Sequence, residues 1–89
     1  MKAIVTVVGK DRVGIIAGVC SALAAYRVNV LDISQTVMQG YFTMMMAVDT
    51  SECTLPLGEL CSAMEETGME MGLSIRVQRE DIFEAMHRV

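Results

Sequence analysis

Two periodicities alternate along this chain. Ala3-Ile-Val-Thr-Val-Val8 is short, β-branched and closed by Gly9, which predicts a strand buried on at least one face. A polar turn follows, Gly9-Lys-Asp-Arg-Val-Gly14. Beyond it Ile15, Ile16, Val19, Leu23 and Tyr26 recur at helical spacing and predict an amphipathic helix, with Asp11 placed to cap its free N–H groups. Period two returns from Val28 to Met38, with Leu31, Ile33 and Val37 on one face and Asp32, Ser34 and Thr36 on the other. Gln39-Gly40 is a tight-turn signal. Tyr41 to Val48 then alternates through Phe42, Met44, Met46 and Val48, so the two runs predict a hairpin. Helical spacing resumes from Thr54 to Gly72, where Leu57, Leu60, Cys61, Met64, Gly68 and Met71 share a stripe. Pro56 suits the first turn of that helix and Gly72 its stop. Leu73-Ser-Ile-Arg-Val77 reads as a last strand. Asp81 to Val89 reads as a short helical tail, with Ile82, Phe83 and Met86 on one side and Glu80, Asp81 and Arg88 complementing its dipole.

The predicted strands span 2–8, 28–38, 41–49 and 73–79, and the helices 12–26 and 56–71. The order βαββαβ implies an α+β, ferredoxin-like two-layer sandwich: one antiparallel four-stranded sheet with both helices on one face. Residues 1–80 form the domain and 81–89 the tail. The helices cover one sheet face only. On the other, Met45, Ala47, Val5 and Val7 are expected to lie partly bare, and the second strand is expected at a sheet edge.

Composition sharpens this picture. Of 89 residues, 53% are hydrophobic, rich for so small a domain. Val13 to Tyr26 is interrupted by Gly, Ser and Cys and falls short of the ~20 apolar residues a membrane span needs. The single early lysine runs directly into a strand, without the pattern of a signal peptide. Self-association as a homodimer accounts for the surplus. A net charge of −4, two Tyr, two Phe and no Trp disfavour nucleic acid, which calls for basic and stacking residues. Cys20, Cys53 and Cys61 are odd in number and form no CxxC, consistent with reduced thiols in the cytoplasm.

Cofactor and metal motifs do not emerge. Gly9 to Gly14 has the two-glycine spacing of a P-loop, but Ile15-Ile16 stands where Lys-Ser/Thr is required. Met44-Met45-Met46 cannot converge on a soft metal, because Met45 points opposite to its neighbours on a strand. His87 is the only histidine and reads as a surface residue of the tail.

Three segments together resemble the ACT domain: the loop Gly9-Lys-Asp-Arg-Val-Gly14, the apolar helix after it, and Arg27-Val-Asn-Val-Leu-Asp-Ile33. The family pattern is roughly Gly-x-Asp-Arg-Pro-Gly-Ile, a helix, then Gly-Val-Asn-Ile, and the resemblance covers the chain through Val77. The ending, Gln78 to Val89, is similar to that of stand-alone ACT-domain proteins of bacteria and archaea, and more distantly to the ACT halves of the glycine-cleavage repressor. The resemblance implies a regulatory module that binds a small ligand, commonly an amino acid, between paired domains and acts on a protein target. It implies a ligand-binding set of Gly9, Lys10, Asp11, Arg12, Val13, Gly14 and Ile15, together with Asn29 from the neighbouring subunit. Val13 replaces the usual proline, and Gly9 stands where serine-binding members have a histidine, which leaves the ligand's identity open.

Elementary chemistry gives the same loop a reason to bind. A helix N-terminus offers unsatisfied N–H groups and about half a positive charge to a carboxylate. Asp11 can hold an ammonium, and Asn29 offers a donor and an acceptor. The competing structural reading makes Asp11 a cap and Asn29 a strand-entry residue. Two other functions remain in view: a protein-interaction adaptor without a ligand, and an acylphosphatase-like hydrolase using Arg12 and Asn29. The latter lacks the family's Gly-x-x-x-Arg approach into the helix.

Overall fold

The computed structural model describes residues 1–82. The elements are β1 (Lys2–Lys10), α1 (Ile15–Ala25), β2 (Asn29–Met38), β3 (Tyr41–Asp49), α2 (Leu57–Met71) and β4 (Leu73–Arg79). The four strands form one antiparallel sheet in the order β2-β3-β1-β4. The ferredoxin-like βαββαβ sandwich is therefore the fold. Residues 80–82 begin a helical turn after β4. The rest of the expected tail, including Phe83, Met86, His87 and Arg88, lies outside the described residues.

The core follows from the alternation. Val5 pairs with Met46 and Val7 with Met44, and all four side chains are fully covered beneath the helices. Ile15, Val19 and Leu23 of α1 and Leu60 and Met64 of α2 close the layer from above. Each such side chain contributes about 1.5–3 kcal/mol before entropy is subtracted. The core contains no polar residue among the described residues. Arg27, where the family pattern has glycine, takes a left-handed φ of 61° to turn the chain from α1 into β2. No described helix is long and apolar enough to cross a membrane.

Three expectations change. Val5 and Val7 are not on the bare face: pairing with Met46 and Met44 turns them inward, so Ile4, Thr6 and Val8 face outward beside Met45 and Ala47. Strand β1 also continues past Val8, because Gly9 and Lys10 still pair with Phe42 and Tyr41. Finally, Asp11 is not a helix cap. The cap position is Gly14, with no side-chain cap bond, and the helix starts at Ile15 rather than at residue 12. Left-handed Gly14 (φ 92°) makes the turn into α1 later than the polar pattern implies.

The half-buried thiols of Cys20, Cys53 and Cys61 are free. Burial, and then the Glu65 carboxylate, push the Cys61 thiol up from its usual range, and it donates to the Val77 carbonyl at 3.2 Å. Asp49 lies on the acidic side of its usual range, held chiefly by the Ser51 backbone N–H and also by the N-terminal ammonium at 3.7 Å. A lowered carboxyl pKa stabilises the fold above the unfolded value of about 3.9, and that contribution is lost as pH falls through the folded value.

Helix α2 approaches β4 closely at Gly68. A Cβ there would meet the Leu73 carbonyl oxygen at 2.8 Å and Ile75 Cγ1 at 3.0 Å. Gly68→Ala is expected to lower stability by about 1–2 kcal/mol, since overpacking of about 1–3 kcal/mol outweighs a helix-propensity gain of up to about 1 kcal/mol. Urea denaturation measures the difference, and an unchanged or raised midpoint would contradict this packing.

Candidate functional site

Between β1 and α1 the chain must reverse over the sheet in the short stretch from Asp11 to Gly14. Two bonds hold that stretch. The Asp11 backbone N–H donates to the Gly40 carbonyl at 2.9 Å, tying the loop to the β2–β3 turn. The Arg12 guanidinium donates to the Met71 carbonyl at the C-terminal end of α2, where a cation meets the negative end of the helix. The Asp11 carboxylate has no partner among the described residues.

The first intrahelical bond of this turn runs from the Gly18 N–H to the Gly14 carbonyl at 2.9 Å. The amides of Ile15, Ile16 and Ala17 therefore have no intrahelical acceptor, and neither a cap side chain nor an acidic residue in the first turn supplies one. A Cβ built on Gly14 would find open space, so the backbone is approachable there. Beside this helix end lies an open cleft of about 320 Å³, lined by Asp11 and Arg12 of the loop and by Gln35, Val37 and Phe42 of the β2–β3 hairpin.

The structure brings Asp11, Arg12, Gly14 and Ile15 to one cleft. The Ile15 side chain is buried in the core, so only its backbone is available. Gly9 sits in the β1 ladder, where a Cβ would strike Leu73 Cδ2 at 2.5 Å, so its small size serves strand packing. Lys10 ends β1 opposite Tyr41, and Val13 stands 96% exposed at the loop tip. Asn29 does not join them. It pairs with Asp49, which pairs with Lys2, whereas the loop leaves the sheet beyond Lys10. Eight residue steps of strand at ~3.4 Å each separate the two ends by about 27 Å. Sequence reasoning missed Gln35, Val37 and Phe42. Gln35 carried a signal, since it is the polar residue on the otherwise apolar face of Ile33 and Val37.

A family model described as the ACT domain matches residues 2–78. A UPF0237 protein of Clostridium acetobutylicum is 53% identical over 89 residues, covering 100% of both chains. Among solved structures, an ACT domain protein from Streptococcus pneumoniae is similar at a TM-score of 0.84 and 46% identity, covering 98% of each chain. The regulatory subunit of aspartate kinase from Thermus thermophilus is similar at 0.69 and 26%, covering 89% of this chain and 51% of that one.

The loop bonds make opposite forecasts for two neighbours. Asp11→Ala should leave stability within about 0.5 kcal/mol, as for a surface change. Arg12→Met should cost about 0.5–1 kcal/mol by removing the cation from the end of α2. Chemical denaturation of both variants checks this. A loss of about 1 kcal/mol at Asp11, the usual cost of an N-cap, would contradict the assignment of Gly14 as the cap.

Proposed function

Given that the chain belongs to the ACT-domain family, we propose that it is a ligand-sensing regulatory module, a cytoplasmic homodimer that binds an amino acid and is not an enzyme. The observation that carries this reading is an uncapped helix N-terminus beside the Asp11 carboxylate, which has no partner among the described residues. The amides of Ile15, Ile16 and Ala17 suit an α-carboxylate, Asp11 suits the α-ammonium, and the Gln35 amide and Val37 face the side chain between them. An amino-acid zwitterion presents both charges. A phosphate would satisfy the amides but would lie against Asp11. Free, half-buried thiols fit a reducing compartment. The likeness to an aspartate kinase regulatory subunit supports a metabolic enzyme or its regulator as the target.

The dimer supplies what one chain lacks. Strand β2 is a free edge of ten residues on which Leu31, Ile33, Val37 and Met38 are all exposed. Free edges with apolar side chains invite pairing. If two β2 strands pair antiparallel about a two-fold axis, each start lies beside the other's end. Asn29 of the partner subunit then approaches the Asp11–Gly14 loop, restoring the expected shared site. The acylphosphatase-like alternative fares worse: Arg12 is engaged by Met71, and Asn29 of the same chain is at the far end of the sheet.

Thermal melts against a panel of amino acids test the reading. A matching ligand at a hundred times its Kd should stabilise the fold by about 2.7 kcal/mol. Asp11→Ala, Gln35→Ala and Asn29→Ala should each remove the shift while the unliganded melt stays cooperative. A flat panel favours the adaptor. Turnover of an acyl phosphate would instead favour the hydrolase. Solution scattering should give twice the 9.7 kDa chain mass or a multiple of it, and a single-chain mass at micromolar concentration removes the shared site.

A further inference from the structure

The sheet face opposite the helices carries an arrangement that neither the cleft nor the β2 edge uses. Register fixes its rows: Asp32, Ala47, Ile4 and Gln78 lie side by side, then Ser34, Met45, Thr6 and Arg76. The next row is Thr36, Thr43, Val8 and Ser74. The two central columns of these rows contain no charge. Val8 and Met45 are 42% and 38% exposed, and Ile4 and Ala47 are half-buried. A solvated antiparallel face ordinarily alternates to polar residues outward, so this centre is unusually apolar for one in contact with water.

The charges stand on opposite flanks. Asp32 lies on β2 at one edge, its carboxylate accepting the Ile33 N–H at 2.9 Å and no other bond among the described residues. Arg76 lies on β4 at the other edge and has no hydrogen-bond or ion-pair partner among the described residues. Beside Asp32, between β2 and β3, a shallow apolar groove of about 180 Å³ runs past Met45, Ala47 and Ile4.

We propose that this open face docks on the same face of a second copy, about a two-fold axis parallel to the strands. That operation lays β4 of each copy over β2 of the other and β1 over β3. Arg76 of each chain then meets Asp32 of the other, one row along, an offset that the ~30° crossing of aligned sheets and the length of an arginine accommodate. The Arg76 stem covers the groove while its guanidinium reaches the carboxylate. Met45, flexible and apolar, fills the uneven centre of the interface. The pairing is isologous, so both ion pairs form at once. A two-fold axis across the strands would instead lay β2 on β2 and β4 on β4, setting Asp32 and Arg76 each towards its own kind. This interface is separate from β2-edge pairing and compatible with it, and the two together give a four-chain assembly.

Scattering and sedimentation of the full chain test it, with Thr6→Lys placing a charge in the face centre and Arg76→Glu reversing one flank. Neither residue touches the β2 edge or the cleft. Arg76→Glu should weaken association about tenfold or more, and Asp32→Lys combined with it should restore it. Four chains falling to two with Thr6→Lys support face docking together with edge pairing. Two chains falling to one support face docking and overturn edge pairing. A mass unmoved by both Thr6→Lys and Arg76→Glu overturns face docking and leaves edge pairing standing. A monomeric natural chain overturns both. Circular dichroism confirms that each variant is folded, and Arg76→Glu, at an exposed position, keeps the test decisive if Thr6→Lys is not.

Discussion

The structure depends on β1 lying between β3 and β4. Its pairing with both neighbours buries Ala3, Val5 and Val7 completely and gives the two helices the floor on which they pack. The same placement pushes β2 outward. As the outermost strand of the hairpin, β2 is sheltered only at Val30 and otherwise carries its side chains into solvent on both faces. The register of β1 also decides which residues of the central strands face away from the helices. One choice of partner thus sets the core, the free edge and the character of the open face.

The two helix ends near the loop are treated oppositely. The C-terminal end of α2 is closed, by left-handed Gly72 and by the Arg12 guanidinium on Met71. The N-terminal end of α1 is left open, since Gly14 provides a turn but no acceptor. A fold that spends its loop arginine on one helix and withholds a cap from the other keeps a polarised pocket without a competing internal partner. The cost is modest, because an exposed helix end can be hydrated. Beside the α1 amides, the cleft's polar side chains are Asp11, Arg12 and Gln35, and the rest of its lining is apolar or glycine.

Much of this was legible in the chain. The switches between period two and helical spacing located all six elements, and Gln39-Gly40 marked the hairpin turn, where both residues take positive φ. The stripe of Leu60, Met64 and Gly68 emerged as the buried face of α2. The loop drew attention through its glycines and charges, but the role of each residue did not follow. Asp11 looked like a cap because Asp before an apolar helix usually is one. Only the backbone at Gly14 shows the helix starting later.

What the sequence by itself determined is local and periodic: the order of elements, the stripes that must be buried, the turn at Gly40 and the stop at Gly72. These follow from alternation and from φ values few residues accept, so neighbours along the chain suffice to read them. What only the tertiary structure decided is phase and proximity. Ala3 to Val8 is apolar but for Thr6, and one threonine, common on either face of a strand, does not fix whether Val5 or Ile4 turns inward; pairing with Met46 says so. Nor does spacing along the chain reveal that Gln35 and Val37 join the Asp11 loop while Asn29 of the same chain is carried to the far end of the sheet. Those relations are set by strands from distant parts of the chain lying side by side, and a strand's partners are not written in its own residues.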